Sequence, residues 1–181
     1  SGIFAMNWYR KKKIRQLLEA ARFAPTAANS QGMYYLVIQD RDLIKKITDC
    51  VADWMQEQID NKSPQKRYFI KVLHVYRERG IDIIGRNARQ LIFVLARRLN
   101  VTGPSNSEQS LAYAELYAPT LGLGTTIMGF IETCLRADYT PLRELLQIPT
   151  KQVGVGCLLV GYPRYRYHKL VDRQHLKVEF R

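Results

Sequence analysis

Histidine, cysteine and acidic side chains are in short supply in this sequence, and each shortage closes off a class of chemistry. The histidines, His74, His168 and His175, are spread through 181 residues, with no HExxH pair to seat a catalytic zinc. The cysteines, Cys50, Cys134 and Cys157, are equally scattered. An odd, dispersed set builds neither a disulfide framework nor a local zinc or iron–sulfur motif, and it suits a reducing cytoplasm. No G-x-S-x-G elbow and no Walker loop is present, so the common hydrolase and NTPase signatures are missing. Leu91–Ala96 and Val153–Gly161 are apolar but fall well short of a bilayer-spanning helix. Nor does the sequence open with a basic region followed by a long apolar stretch, so a cytoplasmic protein is expected.

The deficit of acid has a second consequence. Lysine and arginine total 28 against 16 aspartates and glutamates, a formal charge of +12. They gather at Arg10–Lys13 with Arg15, at Lys66–Arg67, at Arg97–Arg98 and across Arg164–Lys169. Such a surface attracts anions of many kinds, from phosphorylated cofactors to nucleic acid. No nucleic-acid recognition motif accompanies the charge, which makes that partner the weaker reading.

What is present describes one domain over residues 1–181, long enough to bury a sizeable core or to complete it by dimerising. Ile14, Leu17, Leu18 and Ala21 predict an amphipathic helix over about 10–23. A polar loop from Thr26 to Gly32 leads into a strand, Met33–Ile38. Asp40 caps a helix that carries Leu43, Ile44, Ile47, Val51, Trp54 and Met55 on one side. Ser63-Pro64 reads as the cap and first turn of another helix to about Glu78, ended by Gly80. Leu91–Ala96 is a buried strand, Asn100–Gln109 a polar loop, and Val153–Val160 a strand closed by Gly161-Tyr162-Pro163. Short helices are expected at 131–137 and, capped by Thr140, at 141–147. Leu176–Phe180 alternates as an edge strand or an arm onto a partner. The fold class is α+β, a small mixed β-sheet surrounded by helices.

The organising stretch is 112–130. Ala112, Leu116, Tyr117, Thr120 and Leu121 recur on one helix face, and small residues at Ala112, Ala114 and Ala118 admit a close neighbour. Gly122 and Gly124 end that helix beside a short apolar segment, Thr125–Phe130. Without a nucleophile, a metal set or an acid–base pair, any catalysis falls to a bound cofactor. A flavin suits the residues present. Arginine forks serve its phosphate. Thr26, Asn29 and Gln31 offer partners for the polar ring edge, and the Ile127–Gly129 backbone offers donors toward N5.

At these residues the chain resembles the FMN-dependent nitroreductase family. Leu17-Leu18-Glu19-Ala20-Ala21-Arg22-Phe23-Ala24-Pro25-Thr26 with Asn29-Ser30-Gln31 is similar to the family's first flavin segment. Leu121-Gly122-Leu123-Gly124-Thr125 with Gly129 is similar to its second, and Gly161-Tyr162-Pro163 closes the sheet in the same manner. Val51–Met55, Arg79-Gly80-Ile81-Asp82 and the 162–167 tail resemble the branch whose members often carry an N-terminal ferredoxin-like 4Fe-4S module. The resemblance implies a homodimer with FMN at the subunit interface, the helix near 108–121 at the dimer core, and ping-pong transfer of reducing equivalents. Carried over by position, Pro25, Thr26, Asn29 and Gln31 contact the flavin, and Ile127, Met128 and Gly129 line its ring. Arg164 and Arg166 are the phosphate candidates with Arg173 in reserve, and Arg86 approaches the N1/O2 edge. The pattern departs from the family at its opening arginine segment, where Gly2 stands in place of the last arginine. It departs again at Gly32 and at Arg89, both proline positions in relatives.

The implied activity is an oxidoreductase. It would take reducing equivalents from NAD(P)H or a ferredoxin-type donor and pass them to a small planar acceptor such as a nitroaromatic or quinone. A flavin-binding protein without turnover and a basic nucleic-acid module stay open beside it.

Overall fold

The structure, a computed structural model, describes residues 2–165, 169 and 172–181. Its centre is β2, Leu91–Arg97, whose residues from Leu91 to Ala96 are all buried. Because side chains alternate across a strand, Leu91, Phe93 and Leu95 face one core while Ile92, Val94 and Ala96 face another. β1 (Tyr34–Ile38) and β4 (Gln152–Gly161) flank β2, and β3 (Gly124–Ile127) pairs with β4 on its far side, giving the order β1-β2-β4-β3. Every pairing among these strands is antiparallel. The α+β class holds, and the expected mixed sheet is corrected: no parallel pair exists among the described residues. Leu176–Phe180, expected as an edge strand or an arm onto a partner, joins no ladder of its own chain, and Leu176, Val178 and Phe180 stand exposed.

Two helices cover one face. α1 runs from Gly2 to Arg22, longer than the expected 10–23, and buries Ile14, Leu17 and Ala21. α4, Gly103–Tyr117, packs with α1 over Ile92, Val94 and Ala96. Residues 103–109, expected as polar loop, are its first two turns. Pro104 fits the first turn of a helix, where its missing N–H costs nothing. The small polar residues Asn106, Ser107 and Ser110 are buried against the sheet. Their size matters: a Cβ on Gly156 of β4 would lie 2.4 Å from Ser107 Oγ and 2.9 Å from Leu111 Cδ1. A short 3₁₀ turn, Ala118–Leu121, then ends at Gly122 in the left-handed conformation (φ +67°), the stop read from the sequence.

The other face carries α2 (Arg41–Asp60), α3 (Lys66–Leu73), α5 (Gly129–Arg136) and α6 (Thr140–Leu145) over Leu91, Phe93, Leu95 and Cys157. Asp40 caps α2 as expected, its carboxylate accepting the Leu43 N–H at 2.8 Å. Ser63 does not cap α3. Its hydroxyl is buried without a partner, Gln65 takes the cap position, and the helix widens to a π turn over His74–Glu78. Thr140 opens α6 rather than capping it; Tyr139 precedes it. No helix among the described residues is long and apolar enough to cross a membrane.

Candidate functional site

Segment 127–129, expected to line the ring, sits where β3 hands over to α5. Met128 is buried and its N–H donates to Cys157 O at 3.0 Å, so that amide belongs to the sheet. The donors left for a ligand are those of the first turn of α5, beginning at Gly129, since the opening N–H groups of a helix lack intrahelical partners. A Cβ on Gly129 would meet nothing within 4 Å. Ile127, Met128 and Gly129 line a cavity of about 370 Å³ together with Tyr68, Phe69, Ile83, Ile84, Arg86 and Phe130. Tyr68 and Phe130 form its aromatic wall, with ring centroids 5.7 Å apart and planes at 37°.

Arg86 reaches this cavity on a constrained loop. Asp82 accepts the Gly85 and Asn87 N–H groups at 2.7 and 2.9 Å. Gly85 is packed so closely that a Cβ would meet Thr48 Cγ2 at 2.3 Å. Arg86 and Asn87 both take positive φ, 53° and 52°, a conformation that non-glycine residues adopt at a cost. The Arg86 guanidinium has no carboxylate partner among the described residues.

Residues 25–31, expected to contact the flavin, fold into a second strained loop. Pro25 and Thr26 follow α1, and Ala28, Asn29 and Gln31 have φ of 51°, 51° and 48°. Thr26 Oγ1 accepts the Gln31 N–H at 3.1 Å, and Asn29 Oδ1 accepts Gln31 Nε2 at 3.0 Å. Asn106 of α4, within the expected polar loop Asn100–Gln109, is the anchor. It is 1% exposed and accepts the Ala27 N–H at 3.0 Å, and its amide lies 3.4 Å from Ser30 Oγ. The fourth-residue spacing of Thr102 and Asn106, joined at 3.3 Å, was the signal available for it.

These pieces do not all meet in one chain. Arg86, Ile127, Met128 and Gly129 share a cavity. The 25–31 loop lies against α4, on the sheet face opposite α2, α3 and α5, and contributes nothing to that cavity. Arg164 is exposed, its guanidinium 5.6 Å from the Tyr165 ring, and does not line this cavity. Arg173 is exposed in the terminal extended stretch. Arg166 lies outside the described residues, as does His168. Cys50 is half-buried and Cys134 and Cys157 are buried, all as free thiols.

A fold of this order, with an aromatic cavity at the β3–α5 junction, defines a class. The family model described as the nitroreductase family matches residues 9–162, and the chain belongs to that family. It is 24% identical over 159 residues to the FMN reductase [NAD(P)H] of Bacillus subtilis (strain 168), covering 88% of this chain and 60% of that protein. The chain thus spans about three-fifths of the length of the curated relative it matches. Among solved structures it is similar to a nitroreductase with bound FMN from Desulfitobacterium hafniense DCB-2. The TM-score is 0.67 at 16% identity, with 93% of this chain and 87% of that one covered. A nitroreductase with bound FMN from Bacteroides fragilis NCTC 9343 gives a TM-score of 0.65 at 17% identity, covering 92% and 83%.

Proposed function

We propose that this protein is an FMN-dependent oxidoreductase that passes reducing equivalents from NAD(P)H to a small planar acceptor such as a nitroaromatic or quinone. The observation that carries the reading is the cavity at the β3–α5 junction. An aromatic wall, a helix-start set of backbone donors and an arginine without an acidic partner among the described residues line the same space. Those features fit a flat heteroaromatic ring with polar edges and a negatively charged reduced form. Bound there, FMN supplies hydride acceptance and hydride delivery, chemistry that no side chain of the cavity provides.

The chain's own contributions follow from its geometry. The α5 amides would hold the ring edge, and Arg86 would offset negative charge at the N1/O2 side. Tyr68 and Phe130 would exclude water and favour planar acceptors by stacking. The 25–31 loop would reach a flavin only from a second copy of the chain, so the working unit is a homodimer. Two uncovered apolar surfaces support that assembly. The outer face of α4 exposes Tyr113, Leu116 and Tyr117, and the terminal stretch exposes Leu176, Val178 and Phe180. The relative's name supports NAD(P)H as donor; the likeness to the 4Fe-4S branch makes a ferredoxin-type donor the second arm to test.

The experiment is a visible spectrum of the protein after adding FMN and removing the excess, with light scattering for mass. Flavin bands that travel with a dimer, and that bleach with NADH, NADPH or reduced ferredoxin and return with a quinone, are the expected result. Bands that persist without bleaching by any donor would leave a flavin-binding protein that does not turn over. No retained bands would remove the proposal.

A further inference from the structure

Arg86 enters the β3–α5 cavity from a turn whose backbone an arginine does not favour. The Ala88 N–H donates to Gly85 O at 2.9 Å, closing four residues into a turn. Its two central residues, Arg86 and Asn87, have φ of 53° and 52°. Glycine, asparagine and aspartate are the residues that accept positive φ at both central positions of a turn. Asn87 suits its place and Arg86 does not, so the conformation is imposed by the surroundings.

Two contacts impose it. The Asp82 carboxylate reaches along the turn, Oδ1 accepting the Gly85 N–H at 2.7 Å and Oδ2 the Asn87 N–H at 2.9 Å. These bonds bracket Arg86 on both sides. Gly85 is also pressed against α2, where a Cβ would lie 2.3 Å from Thr48 Cγ2. Thr48 is 1% exposed, and its Oγ1 donates to Lys45 O at 2.8 Å and lies 3.1 Å from the Tyr76 hydroxyl. With that hydroxyl engaged, the Thr48 methyl stays turned toward Gly85. Ile84, buried in the core, ties down the same loop. The Arg86 side chain itself is exposed. The backbone beneath it, rather than packing around the guanidinium, therefore decides which space the charge can reach.

We propose that Asp82 is a positioning residue: by holding the 85–88 turn it keeps the Arg86 charge in the cavity, and through Arg86 it sets the reduction potential of bound FMN. This rests on FMN occupying the β3–α5 cavity with Arg86 at its N1/O2 edge, as proposed for the function. A cation there favours the negatively charged reduced flavin over the neutral oxidised one. A carboxylate acting by its own charge has the opposite influence. The two roles of Asp82 thus predict shifts of opposite sign. Removing its charge alone raises the potential, whereas releasing Arg86 lowers it.

The test is the midpoint potential of FMN bound to the full chain, in wild type, R86Q, D82N, the double variant D82N/R86Q and D40N. Asparagine keeps one acceptor and sets its NH₂ against the other backbone donor, with little change in size. D82N should lower the potential in the same direction as R86Q. Loss of one charge-assisted contact weakens reduced relative to oxidised FMN roughly tenfold, about 30 mV for a two-electron couple. In the R86Q background, D82N should lower the potential no further. D40N removes the carboxylate that caps α2 and should leave it unchanged. G85A changes no charge, yet its methyl meets Thr48 Cγ2 and displaces the turn. The potential should fall, and adding T48S, which deletes that methyl and keeps the hydroxyl, should restore part of it; this pair decides the matter if D82N does not fold. In the flavin-free chain, amide exchange at Gly85 and Asn87 should quicken in D82N and not in R86Q. A potential that rises or stays constant in D82N, or that D82N lowers equally with and without Arg86, overturns the inference. So does a G85A protein with wild-type potential. A wild-type chain that retains no flavin removes the proposed function first, and this inference with it.

Discussion

Replacing Asn106 by alanine tests whether the 25–31 loop is held by the helix beneath it. The side chain is 1% exposed and accepts the Ala27 N–H at 3.0 Å. Its removal leaves that N–H without its acceptor, a loss of about 1–3 kcal/mol for a buried donor. Its contacts to Ser30 Oγ at 3.4 Å and Thr102 Oγ1 at 3.3 Å are long and add little. The loop has few other ties. Ala28, Asn29 and Gln31 already sit in the left-handed region, at about 1 kcal/mol or more for Ala28 and Gln31. N106A should therefore lower stability by about 1–3 kcal/mol, roughly 2–12 °C in Tm for a chain of this size. On the proposed function, in which this loop contacts the flavin, it should also weaken FMN binding. S30A removes only the long contact and should change stability by less than about 0.5 kcal/mol. Urea unfolding and a flavin titration of both variants suffice. An N106A protein within about 0.5 kcal/mol of wild type, with unchanged amide exchange at 26–31, would refute the anchoring role.

Three further outcomes follow from the packing and the charges. G156A places a methyl 2.4 Å from Ser107 Oγ and 2.9 Å from Leu111 Cδ1, pushing α4 off the sheet at a cost of about 1–3 kcal/mol; adding S107A should recover part of it in denaturant titrations, and no recovery would locate the strain elsewhere. Burial alone would raise the Asp138 pKa, but hydrogen bonds from Arg98 and Arg143, at 2.9 and 2.6 Å, hold it below its ordinary 3.8. A lowered folded pKa gives stability that is complete above 3.8 and lost as pH falls through the folded value. D138N should therefore be less stable than wild type at neutral pH, with a gap that narrows in acid; a pH-independent gap would deny the linkage. Burial pushes the Cys50 thiol up to about 11, helped by Asp53 and Glu57, and raises Cys134 and Cys157 further. All three should react slowly with a thiol reagent at pH 7.5 and fully after unfolding, so rapid native labelling would contradict the burial.

Much of this molecule was legible in its residues, and the failures have physical causes. Strands β1, β2 and β4 announced themselves because β-branched and apolar runs bounded by turns have little alternative. The Gly122 stop and the Asp40 cap depend on local chemistry, and both appear as read. The start of α4 did not, because Gly103, Asn106, Ser107 and Ser110 are polar or small and look like loop. They are helical because β4 offers Gly156, and that complementarity spans some fifty residues of sequence. A small mixed sheet was expected where helices outnumber strands, yet register and direction are set by tertiary contacts that periodicity does not encode. The cavity at the β3–α5 junction was legible only in part. Arg86 and 127–129 were named and share a cavity, while Asn106 and the Tyr68–Phe130 wall were not, since each works through a partner distant in sequence.

Backbone strain is concentrated where ligand contacts are proposed. Ala28, Asn29 and Gln31 in one loop, and Arg86 and Asn87 in the other, account for five of the eight non-glycine residues with positive φ among the described residues. Each loop is pinned by a side chain that accepts backbone N–H groups, Asn106 for the first and Asp82 for the second. Such conformations persist only when the surroundings over-determine them. Here the surroundings are the two cores on opposite faces of one sheet, so the two loops lie on opposite faces. The ligand contacts proposed for them would meet only between two copies of the chain. Two-fold pairing through the uncovered face of α4 would set the 25–31 loop of one copy against the β3–α5 cavity of the other, twice over. On that geometry, a charge placed on the α4 face, as in L116E, should dissolve the dimer and abolish flavin retention together. The fold should survive, because Leu116 is 79% exposed in the single chain. A monomeric L116E that still retains FMN would show that one chain builds the whole site.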